Sequence, residues 1–354
     1  MPALEDFDLR PAVRPVLDWY KLNKRDLPWR RETSPYRVWV SEIMLQQTRV
    51  ESVKPYFDRF LAELPDCGAL ADCPEEKLLK LWEGLGYYNR VRNMQKAARI
   101  IQDSGGEFPR SYEEIRALPG IGSYTAGAIA SIAFGEAVPA VDGNVLRVLM
   151  RLCADPSDIA KASAKTRAEN ALRRVMPGDR PGEFNQALME LGAIVCVPNG
   201  APSCACCPWS GLCLARKNKL TQQLPVKAKS KPRRREKRTV LLILSGNEVV
   251  LNRRPNHGLL AGLYEFPNRS GYLSEEEVLR EIRTMKLAPL HIKKLSDAVH
   301  IFSHVEWHMR GYSIQVDELT KENSGLLFAE IPAVQDHYAV PSAFSAYVRE
   351  LTGN

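Results

Sequence analysis

The feature that most limits how this chain can fold is a tight turn at residues 118–122, between two segments of helical character. Ser111 and Glu114 have the spacing of a capping box, which predicts the start of the first helix. Gly120 and Gly122 predict a turn that side chains would obstruct, and small residues after it let the second helix pack closely. Backbone N–H groups beside a helix N-terminus can bind phosphate. On this motif alone, an ordinary helix–helix connection carries equal weight.

The composition is that of an ordinary globular protein with excess positive charge. The 354 residues carry a formal net charge of +7, which modestly favours a polyanionic partner, and the length suggests two domains. No signal peptide or membrane-spanning run is evident, so we expect a cytoplasmic protein without membrane association. All six histidines lie at or after His257. Catalysis by Ser-His or Cys-His pairs is therefore excluded from the chain before that residue.

Glu42 is an unusual carboxylate in an apolar context. A helix is predicted from Pro35, capped by Thr33 or Ser34, with apolar residues at helical spacing. Glu42 lies beside this stripe, where partial desolvation would raise its pKa and suit a general acid. A solvated glutamate at the edge of a core helix is the commoner situation for such a pattern.

Two further segments contain candidate functional residues. Asp142 is predicted to cap a helix, and enough sequence separates it from Tyr124 for both to face one cleft. The aromatic, glycine-containing loop at residues 82–90 indicates either a packed turn or a wedge that enters a base stack, with Arg90 and Arg92 directed at phosphates.

Five of the eight cysteines lie between Cys196 and Cys213. Cys196, Cys204, Cys207 and Cys213 are separated by seven, two and five residues, and Cys206 is a spare thiol. Four thiolates this close, in a reducing compartment, predict a metal centre rather than disulfides. Their spacing alone favours structural zinc.

The sequence divides into a mostly helical domain (1–220), a basic linker (221–236) and an α+β domain (237–354). The linker is rich in Lys and Arg, which suits a solvated connection or a phosphate backbone. In the last domain we expect strands at 239–244 and 249–251, a helix at 275–285 and alternating segments near 299–316. Alternation predicts that five polar and aromatic residues share one face of a strand. This face is interpreted as a polar sheet surface in preference to a metal-binding histidine cluster. These residues are His300, Phe302, His304, Glu306 and His308.

Taken together, the motifs of the chain resemble a known family over nearly its whole length. LPGIG followed by SYTAGA, with VDGN downstream, is similar to the helix–hairpin–helix DNA glycosylases related to endonuclease III. SEIMLQQTRV, GLGYYNR, VDGNVLRV, the cysteine segment and FSH at 302–304 narrow the resemblance to MutY-type adenine glycosylases. The resemblance implies a mostly α-helical glycosylase domain with an iron–sulfur subdomain (196–213), plus an α+β Nudix-like domain.

The resemblance also implies an activity. Members remove adenine paired with 8-oxoguanine or guanine in double-stranded DNA, leave an abasic site, and hold a [4Fe-4S] cluster, here on Cys196, Cys204, Cys207 and Cys213. The hairpin allows for a structural metal ion. We expect a monomer that acts at the nucleoid. The first cysteine gap is seven residues rather than the family's usual six, which leaves open the alternative that Cys206 is a ligand instead of Cys204 or Cys207.

The resemblance also implies a role for individual residues of this sequence. The catalytic positions are Glu42 as general acid, Asp142 as the second carboxylate, Tyr124 and Asn144. The adenine-pocket positions are Arg25, Trp29, Arg30, Leu45, Val50 and Gln186. The lesion-recognition positions are Gln47, Thr48, Leu85, Tyr87, Phe302, Ser303 and His304. The positions at the DNA backbone are Gly120, Gly122 and Ser123.

Tyr124 and the C-terminal domain refine this expectation. Related lyases have a lysine at the position of Tyr124, and tyrosine cannot form their Schiff base, so a monofunctional enzyme is expected. The Nudix motif ends here in Arg283-Thr284-Met285 instead of a carboxylate run, which implies recognition of 8-oxoguanine without hydrolysis.

Three alternatives stay open. A relative could act on thymine or uracil mismatches or on oxidised pyrimidines, although Tyr124, Gln186 and the second domain disfavour this. A non-catalytic protein could mark damaged DNA. A Nudix-type nucleotide hydrolase is disfavoured by the missing acidic residues.

Overall fold

The structure of the chain, a computed structural model, describes residues 4–228, 232–320 and 325–352. The described residues form two compact units, one from the described residues of 4–72 and 92–228 and one from those of 73–91 and 232–352. None of the helices in the described ranges is both long and apolar enough to cross a membrane.

Helices make up almost all the regular structure before residue 229. A 3-10 turn at Leu4–Asp6 precedes them. They are α1 (Arg10–Asn23), α2 (Pro28–Arg31), α3 (Pro35–Met44), α4 (Val50–Glu63), α5 (Cys67–Asp72), α6 (Glu75–Leu81), α7 (Asn89–Asp103), α8 (Tyr112–Ala117), α9 (Ser123–Phe134), α10 (Gly143–Cys153), α11 (Ala162–Arg173), α12 (Pro181–Ile194) and α13 (Leu214–Lys217).

The predicted hairpin joins α8 to α9. Ser111 and Glu114 form the capping box, and Gly120 has φ +77°, where an added Cβ would lie 2.6 Å from Asn93 Cβ. The prediction that a side chain would obstruct the turn is wrong for Gly122. Its φ is −93°, and a Cβ there would meet no heavy atom within 4 Å. Its position as N-cap of α9 instead leaves the backbone open to solvent.

Close helix packing places α9 at the centre of the first unit. The small residues Ala126, Ala128 and Ala130 are fully buried, as predicted. A Cβ at Gly182 of α12 would lie 2.6 Å from Ser131 O of α9, so glycine permits this contact. Helix α10, with its apolar residues at helical spacing, packs with α1 and α12 in a common core.

The second unit is built on a mixed sheet with helices on both faces. Its strands are β1 (Arg234–Ser245), β2 (Glu248–Arg253), β3 (Tyr264–Glu265), β4 (Asn268–Ser270), β5 (Pro289–Lys294), β6 (Ala298–Ile301), β7 (Val305–Val316) and β8 (Leu327–Glu330). Its helices after residue 231 are α14 (Glu275–Thr284), α15 (Ile331–Asp336) and α16 (Ser345–Thr352), with 3-10 turns at Glu318–Thr320 and Ser342–Phe344.

The strand order is β3-β2-β1-β7-β5, with β4 also paired to β1, β6 to β7 and β8 to β2. Only β1 and β7 run parallel among the described pairs, with Arg234 opposite Val305 and Leu244 opposite Gln315. Val278 and Ile282 of α14 pack in the core on one face of the sheet. The other face has its own core, which includes residues of α16.

Two expectations for the second unit need correction. Strand β1 begins at Arg234, so the last residues of the predicted linker lie in the sheet, while residues 229–231 of that linker lie outside the described residues. The residues from His300 to His308 do not share one strand face. The chain reverses at residues 302–304, where Phe302 N donates to Val305 O at 2.9 Å and closes a turn.

Residues 73–91, which we assigned to the helical domain, group with the second unit. Lys80 Nζ donates to Tyr338 O at 3.0 Å, and Val340 N donates to Glu83 Oε1 at 2.9 Å. These contacts between distant parts of the chain are not visible in the local sequence pattern.

Candidate active site

Glu42 and Tyr124 are joined by a short hydrogen bond although 82 residues separate them. Tyr124 Oη donates to Glu42 Oε2 at 2.5 Å and also lies 3.7 Å from Met189 Sδ. Helix α3 presents Glu42 at only 6% exposure, because apolar neighbours on several sides of this helix are buried as well. The glutamate is therefore in the interior rather than at the edge of the core.

Burial determines the acidity of Glu42. It raises the pKa of this carboxyl to about 7, opposed by the hydrogen bond from Tyr124 and supported by the negative charge of Asp142. Burial also raises the pKa of Tyr124 well above its usual value, so this phenol stays protonated and can donate.

Asp142 lies at the N-terminus of α10 in a different environment. Its Oδ1 accepts from Val145 N at 2.7 Å, and its Oδ2 accepts from Asn144 Nδ2 at 2.7 Å. Burial raises the pKa of Asp142 above its usual value, and these hydrogen bonds and the charge of Arg147 offset only part of that rise. The helix N-terminus adds a favourable interaction with negative charge. Hydrogen bonds and nearby positive charge thus stabilise the ionised form of Asp142 more than that of Glu42.

Arg147 links this aspartate to the cysteine segment. Its Nη2 donates to Asn144 Oδ1 and to Gly192 O, both at 2.9 Å, while its Nε donates to Cys196 O at 2.9 Å. The arginine is mostly buried and fixes the side chain that holds Asp142.

A cleft of about 1030 Å³ brings most of the predicted residues of the first unit together. Its lining includes the catalytic positions Glu42, Tyr124, Asp142 and Asn144, the adenine-pocket positions Arg25, Trp29, Arg30, Leu45, Val50 and Gln186, and the lesion positions Gln47 and Thr48. Gln47 has φ +59°, an uncommon conformation for a residue other than glycine.

Glu190, which no sequence motif marks as functional, organises the arginines of this cleft. Its buried carboxylate accepts from Arg25 Nε and from Arg30 Nη2, both at 2.7 Å. Burial alone would raise the pKa of Glu190, but hydrogen bonds from Arg25 and Arg30 outweigh burial and hold it at about 2. Tyr20, also not predicted, donates from its hydroxyl to Gln186 Oε1 at 3.1 Å.

Four of the clustered cysteines share a second, small cavity. Cys196, Cys204, Cys207 and Cys213 line it together with Arg151, whose Nη1 lies 3.3 Å from Cys196 Sγ. Cys206 is exposed, does not line this cavity, and places its Sγ 3.2 Å from Ser203 O. In residues 4–228, 232–320 and 325–352, no three His, Cys, Asp or Glu side chains are placed to hold a metal ion.

At the hairpin, Ser123 does not present a free hydroxyl. Ser123 Oγ donates to Glu169 Oε1 at 2.8 Å. Gly120 and Gly122 are exposed and Ser123 is half-buried, and their contact with a DNA phosphate stays a prediction, as does a structural metal ion at the hairpin.

Comparison with known proteins decides the family. Residues 40–175 match the model of the HhH-GPD superfamily base excision DNA repair protein, and residues 239–350 match a NUDIX domain. The human adenine DNA glycosylase is 37% identical, over 86% of this chain and 67% of the human protein. An adenine DNA glycosylase of Buchnera aphidicola subsp. Acyrthosiphon pisum is 33% identical, over 92% of this chain and 93% of that protein. The chain belongs to the adenine DNA glycosylase family.

It is therefore a DNA glycosylase, an enzyme that hydrolyses N-glycosyl bonds. A solved complex of endonuclease III with DNA is similar to it with a TM-score of 0.51 and 25% identity, over 60% of this chain and 99% of that one. The predicted combination of a helix–hairpin–helix domain with a Nudix-like domain is confirmed.

In the second unit of this glycosylase, two predicted recognition segments meet. Tyr87 Oη and Ser303 Oγ are hydrogen-bonded at 2.7 Å, and the Phe302 ring packs edge-on against Trp307 at 4.9 Å. Ser303 and His304 are exposed, whereas Leu85 is buried. Tyr87 has φ +49°, a conformation that costs energy for a tyrosine and is common at functional sites.

Arg90 differs from its predicted role. Its Nη2 donates to Leu85 O at 2.8 Å and to Gly86 O at 3.1 Å, so the guanidinium holds the loop instead of being directed at phosphate. In the Nudix motif, Glu281 Oε1 accepts a hydrogen bond from Arg269 Nε at 2.7 Å, so the carboxylate of this motif residue is paired with an arginine.

Proposed function

We propose that this glycosylase removes adenine paired with 8-oxoguanine or guanine in duplex DNA, leaving an abasic site and an uncut strand. The observation that carries the proposal is the meeting of Glu42 and Asp142, in unlike environments, in one cleft beside Tyr124. The named activity of the human relative agrees with adenine as the base. As a monomer acting on DNA, the enzyme would work in the cytoplasm at the nucleoid.

The two carboxyl groups suit two different tasks. Loss of adenine requires a proton on the departing base, at N7, and negative charge near the sugar as it becomes an oxocarbenium ion. Glu42, with a pKa of about 7, can supply the proton, and the better-supported Asp142 can stabilise the cation. The adenine must first leave the duplex, at a cost of a few kcal/mol.

The remaining cleft residues would bind the extruded base. Glu190 fixes the guanidinium groups of Arg25 and Arg30, and Tyr20 fixes the amide of Gln186. Because these donors and acceptors are held before the base arrives, little ordering remains to be done on binding.

The proposal is tested with duplexes that contain A opposite 8-oxoguanine, G, C or T. We expect strand breaks after alkali for the first two and no break without alkali. Because Tyr124 cannot form an imine, borohydride should trap no covalent complex. Breaks without alkali, efficient trapping, or release of thymine from a mismatch would contradict the proposal. DNA binding without any base release would identify a non-catalytic damage-binding protein.

The rate of adenine release should depend on pH through Glu42. A general acid acts in its protonated form, so the single-turnover rate should fall as pH rises through about 7, the pKa of this group. Rates measured between pH 5 and 9 on the 8-oxoguanine duplex check this. A rate that increases across pH 7 would assign Glu42 the role of a base instead.

The 8-oxoguanine preference is proposed to reside in the second unit. 8-Oxoguanine carries an N7–H donor where guanine has an acceptor, and the Ser303 hydroxyl can accept from it. Tyr87 orients this hydroxyl, and the packed ring of Phe302 supports the turn that presents it.

Replacing Phe302 and Ser303 together by alanine should therefore lower the ratio of A:8-oxoguanine to A:G single-turnover rates by about tenfold. A factor of about this size is what the loss of one specific hydrogen-bonding contact to a base typically costs. Ser296→Ala, at an exposed position of the same unit, is the control. An unchanged ratio in the double variant would refute the assignment.

The cysteine cavity fits a [4Fe-4S] cluster, which we propose as its ligand. Four thiols line it, which is the number of cysteine ligands that such a cluster requires. When bound, the cluster would cross-link the 196–213 segment through Cys196, Cys204, Cys207 and Cys213.

Cys204→Ser should lose most of the iron, sulfide and visible absorption of the purified protein, whereas Cys206→Ser should keep them. Cys206 is the matched control because it is two residues away and lies outside the cavity. Loss in Cys206→Ser, with retention in Cys204→Ser, would reverse the ligand assignment.

A further inference from the structure

The short segment that leads into Asp142, residues 138–141, is held from two sides. On one side lies α9, where a Cβ at Gly127 would come within 2.3 Å of Pro139 O. Glycine is thus the residue that allows α9 and this segment to approach so closely. A side chain at position 127 would have to push backbone, which cannot rotate away as a flexible side chain can.

On the other side lies Asn185 of α12, which is 0% exposed. Its Oδ1 accepts from Ala140 N at 3.0 Å, and its Nδ2 donates to Val138 O at 2.9 Å and to Ser131 Oγ at 2.8 Å. A primary amide has two donors and two acceptor lone pairs, so three of its four possible bonds are made here.

The hydrogen bonds of Asn185 supply partners for backbone groups of residues 138–141, which no described helix or strand pairs. Residues 138–141 are not part of a described helix or strand, and Val138, Ala140 and Val141 are buried. Buried backbone groups need partners, and a buried group left without one is strongly unfavourable. Asn185 does not line the cleft, so it cannot act on the substrate directly.

We propose that Asn185 and Gly127 are positioning residues that set the distance between the Asp142 carboxylate and Glu42. The segment they hold ends at Asp142, and the Asp142–Val145 hydrogen bond joins that end to the first turn of α10. A shift of the segment therefore moves the carboxylate, and misplacement by about 1 Å can cost about 10²-fold in rate. The inference rests on the proposed catalytic role of Asp142.

Gly127→Ala and Asn185→Ala act on the segment by different routes, so both are measured. We expect each to lower the single-turnover rate of adenine release by about 10- to 100-fold, with the dissociation constant for an 8-oxoguanine duplex changed by less than about threefold. Gly178→Ala, where a Cβ meets nothing within 4 Å, and Asn218→Ala, at an exposed site, are the controls and should retain the wild-type rate.

The pH profile separates positioning from a general loss of stability. Burial raises the pKa of Glu42 most, the negative charge of Asp142 raises it further, and the hydrogen bond from Tyr124 and the charge of Arg30 lower it. In Gly127→Ala the segment is pushed away from α9, so the decline in rate near pH 7 should move to lower pH. A purely structural role predicts fewer active molecules with an unchanged midpoint, and that result overturns the inference.

If either alanine variant is unfolded by circular dichroism, Ser131→Ala removes only one partner of Asn185 and should give a smaller rate loss of a few fold. The proposed function fails separately, through Glu42→Gln and Asp142→Asn retaining activity. Inactivity of those two variants, with normal rates and midpoints in Gly127→Ala, Asn185→Ala and Ser131→Ala, would overturn the positioning inference alone.

Discussion

Replacing Glu42 by glutamine is expected to lower the single-turnover rate of adenine release by about 10³-fold, with duplex binding nearly unchanged. The amide has almost the same shape, and its oxygen can still accept the hydrogen bond that Tyr124 donates at 2.5 Å. It has no acidic proton for N7 of the departing adenine, and general acids contribute about 10²–10⁴-fold. The measurement is base release from an excess of enzyme over duplex, beside a binding titration on the same DNA.

Glu51→Gln is the matched control for this variant. Glu51 is 75% exposed and pairs with Lys54 on the first turn of α4, so the same chemical change there should leave the rate within about twofold. If Glu42→Gln keeps the wild-type rate, the proton comes from another group and the proposed mechanism is wrong. If it loses binding in proportion to rate, Glu42 serves the pocket and not the chemical step.

The sequence predicts the helices around this site well because their ends have local chemical signals. The capping box at Ser111 and Glu114 is present, Pro35 occupies the first turn of α3, and Asp142 caps α10. These signals depend on residues three or four apart, which a single sequence shows directly.

The depth of Glu42 could not be predicted in the same way. The apolar stripe of α3 predicts a helix with one buried face. In the structure Val38 and Trp39 are buried as well, because other parts of the chain cover this helix on several sides. Which faces are covered is decided by α9 and other distant segments. Glu190 shows the same limit. Glu190 is a lone carboxylate in an otherwise apolar helix, which is a visible sign of a functional residue. Its partners Arg25 and Arg30 lie about 160 residues earlier in the chain, so the sequence does not reveal the cluster.

The second unit shows where alternation misleads. His300 and Phe302 fit a two-residue period with His308, and no glycine or proline marks a turn between them. The reversal at residues 302–304 instead depends on pairing between β6 and β7, in which Ile301 lies opposite Glu306. This pairing is local, but it places the turn inside the alternating stretch, and alternation alone does not show where one strand ends and the next begins.

Asp142→Asn is the second variant expected to have a large effect, a loss of about 10²–10³-fold in single-turnover rate. The asparagine oxygen can still accept from Val145 N and cap α10, so the fold is retained. The negative charge near the sugar is lost, and removing one stabilising group from a preorganised site commonly has an effect of this size. The same substitution also places an amide N–H₂ opposite Asn144, which disturbs the bond to Oδ2.

Asp142→Ala separates the charge from the cap. It should be about as inactive as Asp142→Asn but less stable by about 1 kcal/mol, because alanine cannot accept from Val145 N. Asp66→Asn is the control, since Asp66 accepts from Ala69 N at 2.8 Å at the exposed start of α5. If Asp142→Asn were active and Asp142→Ala inactive in proportion to its lost stability, Asp142 would be only a helix cap. The enzyme would then have to stabilise the sugar cation with another group.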